Sequence, residues 1–206
     1  MDKCFDKTLA EITTMAGITN KVSSSKALAM LKAGNKRFAA DKPVYERHDK
    51  SRRKELKNGQ APFAIILSCA DSRVIPELVF DTGIGELFVI RVAGNIANTS
   101  TIASIEYAVS AIKTKLIVVL GHESCGAVGA AIGGGDAGHN LNHLLAHLTP
   151  ALNSSPKSRS VNTVVKRNAK MTAQALEERS PTIASASGVS IRPAFYNLVS
   201  GKVDWL

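Results

Sequence analysis

Cysteine, aspartate and arginine stand at alternate positions in Ser68-Cys69-Ala70-Asp71-Ser72-Arg73, and histidine and cysteine lie three apart in Gly121-His122-Glu123-Ser124-Cys125-Gly126. Each group sits where a strongly apolar run stops. Two thiolates and one imidazole suit zinc, which accepts sulfur and nitrogen at tetrahedral angles, and a three-residue donor set leaves the fourth position for water or substrate. Either half alone is a weak signal, because a lone strand-end cysteine is commonly a small buried hydrophobe. Their matched ligand types and matched positions favour a shared metal. In an extended segment, residues two apart face the same way, so Asp71 and Arg73 can reach the pocket that Cys69 enters. A bidentate Arg73–Asp71 pair would keep the carboxylate ionised and oriented as an acceptor for a zinc-bound water. Asp71 is alternatively a fourth zinc ligand that closes the site. Two thiolates cancel the charge of the ion, so such a centre acidifies water less than a three-histidine site, where the pKa falls to about 7. Arg73 adds a nearby positive charge.

Three runs rich in Ile, Val, Leu and Phe must carry these residues: Phe63 to Leu67, Leu87 to Val92 and Leu116 to Leu120. None alternates with polar residues, the pattern of strands buried on both faces. Between the last two, Ile102, Ile105, Val109 and Ile112 recur at helical spacing after Thr99, Ser100 and Thr101, which predicts a strand–helix–strand unit with a parallel pair and a right-handed crossover. A helix near 158 to 179, striped by Val161, Val164, Val165, Ala169 and Leu176, precedes a fourth strand near Val189 to Ile191. Upstream, Leu28, Leu31 and Phe38 predict a helix over 26–39, capped by Ser23 to Ser25 and ended by Asp41-Lys42-Pro43, with Gly34 as its weak point. The expected class is α/β, a central mainly parallel β-sheet flanked by helices, with an N-terminal helical arm over 1–25 and one domain over 26–206. Ligands of such sheets bind at the carboxyl ends of the strands, which is where Cys69 and His122 fall. A helix starting near Cys125 would turn that thiol back to the same point.

The 206 residues are 45% hydrophobic and 21% charged, enough for one sizeable core and unlike a disordered or fibrous chain. With 26 Lys and Arg against 17 Asp and Glu, the formal charge is +9. One basic tract holds Lys157, Arg159, Lys166, Arg167 and Lys170; the other, from Arg47 to Lys57, is interleaved with acids. Neither carries the interleaved aromatics of single-strand binding, so no nucleic-acid partner is expected and the charge is read as a solvated face that attracts small anions. No apolar run approaches the roughly 18 to 20 residues of a membrane span, and the first residues do not resemble a secretory signal. Three cysteines, two of them in the metal group, make no disulfide framework, which favours a reducing, cytoplasmic location.

Over about residues 27 to 206 the chain resembles the β-class carbonic anhydrases. The resemblance is carried by Leu31-Lys32-Ala33-Gly34-Asn35-Lys36-Arg37-Phe38, Gln60-Ala61-Pro62-Phe63, Cys69-Ala70-Asp71-Ser72-Arg73, Arg91-Val92-Ala93-Gly94-Asn95, Ser104-Ile105-Glu106-Tyr107-Ala108-Val109 and Gly121-His122-Glu123-Ser124-Cys125-Gly126-Ala127-Val128. It implies one zinc per subunit on Cys69, His122 and Cys125, an Asp71–Arg73 dyad, and zinc-bound hydroxide attacking carbon dioxide to give bicarbonate. It further implies a homodimer or a dimer-based tetramer or octamer, with a substrate pocket at the dimer interface. There Gln60 would donate to substrate, Phe88 and Tyr107 would line the pocket, some of them from the partner subunit, and Gly126 would let substrate approach closely. Ile66 stands where a bicarbonate-inhibited subgroup has tryptophan, which with Gln60 implies the open, water-bound form. The segments Arg192-Pro193-Ala194-Phe195 and Tyr196-Asn197-Leu198 depart from the family pattern and put the packing of the last strand in question.

Two further motifs are read as structural. His139, His143 and His147 share a helix face opposite Leu141, Leu144, Leu145 and Leu148 and could make a second metal site, but they have no acidic or thiol neighbour in sequence and are taken as a polar face. Gly133 to Gly138 lacks the strand before and the Lys-Ser/Thr after that a phosphate loop needs, and is taken as a linker. Cys4 is expected to be an exposed free thiol in the arm.

Overall fold

The computed structural model describes residues 21–154 and 160–206. Cys4, nearly all of the arm, and Lys157 and Arg159 lie outside them. Five strands form one sheet in the order β2-β1-β3-β4-β5: β1 Ala64–Ser68, β2 Leu87–Arg91, β3 Leu116–His122, β4 Ser190–Tyr196 and β5 Val203–Trp205. The first four run parallel, and β5 returns antiparallel to β4. β2 and β3 are parallel as the strand–helix–strand pattern predicts, but they are not neighbours. β1 lies between them, so the crossover skips one strand, which periodicity alone does not encode.

The helices of the described residues are α1 Ser24–Ala39, α2 Lys50–Glu55, α3 Pro76–Val79, α4 Thr99–Ser110, α5 Gly126–Gly133, α6 His139–Ala146, α7 Thr149–Asn153, α8 Val161–Arg179 and α9 Pro181–Ala184. Side chains alternate across a strand, and here both faces are dry. Ala64, Ile66, Val118 and Leu120 pack with Ala27 and Leu31 of α1 and with Phe80 on one side. Ile65, Leu67, Ile117 and Val119 pack with Ile102, Ile105 and Val109 of α4 and Ala169, Ala173 and Leu176 of α8 on the other. That two-sided burial is why β1 and β3 read as unbroken apolar runs; β2, expected to be buried on both faces too, lies at the sheet edge and is only partly covered beyond Leu87.

Ser23 caps α1 by accepting from the Lys26 N–H at 3.3 Å. Gly34 is no weak point: a Cβ there would stand 1.8 Å from the Phe80 carbonyl oxygen, so the missing side chain lets α1 press against the backbone after α3. Asn35, buried beside it, donates to the Val79 and Gly201 carbonyls and accepts from Val203 N–H, which ties α1 to both neighbours.

The last long strand runs further than its sequence core suggests, through Pro193. Leu206 N–H donates to the Pro193 carbonyl at 3.0 Å, so the backbone edge of this residue points away from β3 and its missing N–H breaks no bond in that pairing.

Candidate metal centre

Ser68 of β1 is level with Leu120 of β3, so Cys69 and His122 emerge together at the carboxyl edge of adjacent strands. Cys125 reaches them by a different route from the one its spacing suggests. It is the N-cap of α5, outside the helix, and Ser124 at φ +54° makes the left-handed turn that swings the thiol back. Asn162 of α8 accepts from Ser124 N–H at 3.0 Å and holds that turn.

The donor atoms of Cys69, His122 and Cys125 all lie within 4.8 Å of one another, and all three residues are buried. The sulfurs are 3.9 Å apart. His122 Nδ1 lies 2.8 Å from the Glu123 carbonyl oxygen, a contact that requires the proton on Nδ1 and leaves the Nε2 lone pair free. Nε2 is buried and has no hydrogen-bond partner, the state of an imidazole nitrogen held for a metal. Gly94 N–H donates to Cys69 Sγ at 3.3 Å.

The two thiols act as one titrating pair. The Cys125 S–H donates to Cys69 and, with the Gly94 N–H, pulls the Cys69 thiol down, against its burial. Cys125, donor in that bond and buried, is pushed up. Without a cation the pair keeps a proton that an entering metal displaces.

Arg73 grips Asp71 at both oxygens, Nε to Oδ1 at 2.9 Å and Nη2 to Oδ2 at 2.7 Å, and its backbone N–H adds a third bond at 3.0 Å. The guanidinium hydrogen bonds hold the Asp71 carboxyl well below the usual carboxylate range, against its burial. Oδ2 stands 3.8 Å from His122 Nε2, beside the place where the three donors converge. Gly126 opens α5 next to Cys125, and a Cβ there would meet nothing within 4 Å.

Three residues that sequence reasoning gave no role support this edge. Arg91, the last residue of β2, donates from Nε to the Cys69 carbonyl at 3.1 Å and from Nη2 to the Asp71 carbonyl at 2.6 Å. Asn168 of α8 donates to the Gly94 carbonyl at 2.9 Å and so positions the N–H that meets Cys69. Gly121 lets α8 approach, since a Cβ there would lie 2.6 Å from Val165 Cγ1. The only sequence signal was position, a glycine or arginine at a strand end; Asn168 is indistinguishable from any polar residue of a helix.

Gln60, Phe88 and Tyr107 are not brought to the cluster within this chain. Phe88 is level with Ile65, four residues before Cys69 and so about 13 Å down the strand at 3.3 Å per residue. Its ring is 6.3 Å from that of Tyr107, which is 40% exposed. Gln60 is exposed and precedes β1 at its opposite end.

Of the histidines, His139 opens α6, while the rings of His143 and His147 are 5.5 Å apart. Burial, then the neighbouring His143 and Arg179, push the His147 imidazole down. The face opposite is less buried than the leucine pattern predicts: Leu148 is fully covered, but Leu141 is 43% exposed. The glycine-rich linker separates α5 from α6 as expected, with Asp136 accepting from Gly138 N–H.

A mainly parallel sheet with a buried Cys-His-Cys donor set at its carboxyl edge defines an α/β metalloprotein. The carbonic anhydrase family profile matches residues 64–203. Carbonic anhydrase 2 of Mycobacterium tuberculosis is 49% identical over 114 residues, covering 55% of this chain and 54% of that protein. The carbonic anhydrase of Mycolicibacterium smegmatis is 46% identical over a stretch of the same length and coverage, so the chain matches about half the length of these curated relatives. Among solved structures, a β-carbonic anhydrase of Aspergillus fumigatus superposes with a TM-score of 0.71 at 27% identity, covering 88% of this chain and 89% of that one. A tetrameric β-carbonic anhydrase of Sordaria macrospora gives 0.69 at 26%, covering 88% and 95%. The chain belongs to the β-class carbonic anhydrase family. Among the described residues, no helix is long and apolar enough to cross a membrane.

Proposed function

We propose that this protein catalyses the reversible hydration of carbon dioxide to bicarbonate and a proton, with zinc held by Cys69, His122 and Cys125. The carrying observation is the donor geometry. Two thiolates bound tetrahedrally at about 2.3 Å from zinc lie about 3.8 Å apart. The sulfurs here are separated by 3.9 Å, with an unpartnered imidazole nitrogen facing them. Zinc, when bound, supplies a Lewis acid that lowers the pKa of water.

The chain's own residues do the rest. Asp71, ionised and held at both oxygens by Arg73, accepts a hydrogen bond from a donor at the site and takes no proton from it, because so depressed a carboxylate is too weak a base near neutral pH. Its grip by Arg73 supports the open form, in which Asp71 is not a metal ligand. The gap left at Gly126 gives a small linear substrate room beside Cys125.

In this reading the active unit is a homodimer or a dimer-based tetramer or octamer. Gln60, Phe88 and Tyr107 lie away from the cluster of their own chain, and a partner subunit would deliver them, Gln60 as a donor to substrate and the two rings as an apolar wall. Residues 26–206 form the catalytic domain and 1–25 an arm onto the neighbouring subunit. A reducing, cytoplasmic setting suits two free thiols this close, which an oxidising one would couple. Stopped-flow hydration by zinc-replete protein tests the reaction, and full zinc occupancy without catalysis from neutral to alkaline pH would sink it.

A further inference from the structure

Outside the Cys-His-Cys cluster, two imidazoles converge on one cavity. His143 of α6 and His147, four residues on, line a cavity of about 490 Å³ whose far wall is α8, with Asn168, Gln174, Glu178 and Arg179. Their ring centroids are 5.5 Å apart and the rings are nearly perpendicular, at 79°. With metal–nitrogen bonds of about 2.0–2.1 Å, two imidazoles on one cation at angles between square and tetrahedral hold their centroids about 4.5–5.2 Å apart. The pair is therefore within an ångström of a bidentate seat, a movement that a turn of the exposed His143 side chain supplies.

We propose that His143 and His147 form a second, exchangeable site for a borderline divalent transition cation, separate from the Cys-His-Cys centre. Neutral imidazole selects zinc, nickel, cobalt or copper over magnesium and calcium, which want oxygen. Glu178, on the same cavity, offers the offsetting negative charge; its carboxylate accepts from Gln174 Nε2 at 2.6 Å through one oxygen. Arg179 also lines the cavity, its guanidinium held to the Ala97 carbonyl of the same lining, and its positive charge opposes the cation, which Glu178 must offset. The cation completes its shell with water, since the cavity is wide enough for several molecules.

The test uses full-length protein with its resident metal in place and Ni²⁺ as probe, chosen because it favours imidazole and leaves thiolate-bound zinc undisturbed. Equilibrium dialysis followed by elemental analysis counts nickel and zinc in the same samples. The wild type is expected to take up one Ni²⁺ per chain with its zinc retained. His143→Ala and His147→Ala should each weaken that uptake at least about tenfold at unchanged zinc content, which also certifies the fold, while His139→Ala and His48→Ala leave it alone. Nickel uptake that survives both cavity variants, or no uptake by the wild type, overturns the proposal.

Discussion

In the proposed reaction Asp71 is the residue on which the chemistry turns, and Arg73, bonded to both of its oxygens, sets its state. The carboxyl lies below its unfolded value of about 3.9 because three hydrogen bonds favour the anion. A depressed pKa gives stability that is complete above the unfolded value and is lost as pH falls through the folded one. The pair is half exposed on the arginine side, so solvent screening keeps its worth modest. Urea midpoints of wild type and Arg73→Ala should therefore differ slightly at pH 7 and draw together as pH falls below about 3.9; a gap that widens in acid contradicts the assignment. The ligands behave differently. Cys125→Ser removes one thiolate of the donor set, and the protein should bind zinc far more weakly and lose structure around α5, read by elemental analysis and circular dichroism. Ligand types and strand-end positions made Cys69, His122 and Cys125 legible in the sequence. Arg91 and Asn168 were not, because they act through backbone carbonyls that any donor of the right length can reach.

At the scale of elements, the site is a junction between two strand ends, one turn and α8. Asn168 holds Gly94, Asn162 holds Ser124, and Gly121 lets α8 come close enough for both. Asn168→Ala leaves the Gly94 carbonyl without its buried partner, an expected cost of about 1–3 kcal/mol by chemical denaturation, with weaker zinc retention because Gly94 N–H then loses its fixed aim at Cys69. Gly34→Ala should destabilise by about 1–3 kcal/mol or more, since the Phe80 carbonyl cannot yield to a Cβ as a flexible side chain would. β1 and β3 were readable because burial on both faces writes itself as continuous apolar runs, whereas the equally apolar run of β2 turned out to be a partly covered edge. Their order was not: that β1 divides β2 from β3 depends on long-range packing, and the antiparallel β5 is only three residues long. Gly34 illustrates the same limit, since propensity marks it as a flaw and only the approach of Phe80 makes it a requirement.

For the whole molecule, the separation of Gln60, Phe88 and Tyr107 from the metal cluster makes assembly part of the account. If these residues serve the neighbouring subunit, an Asp71→Asn chain and a Gln60→Ala chain, each impaired alone, should complement when mixed into one dimer: the Gln60→Ala subunit keeps Asp71 and receives Gln60 from its partner. Activity of the mixed dimer no greater than the mean of the two parents would place Gln60 outside the partner's site. Removing residues 1–25 should lower the assembly size measured by light scattering. The most direct test pairs zinc content with stopped-flow carbon dioxide hydration on the same samples of wild type and Asp71→Asn. The account predicts equal zinc, rapid hydration by the wild type, and turnover lower by about 10² in the variant, the loss expected when a reacting group is no longer oriented. Zinc-replete wild type that fails to hydrate carbon dioxide, or Asp71→Asn as active as wild type, would contradict it.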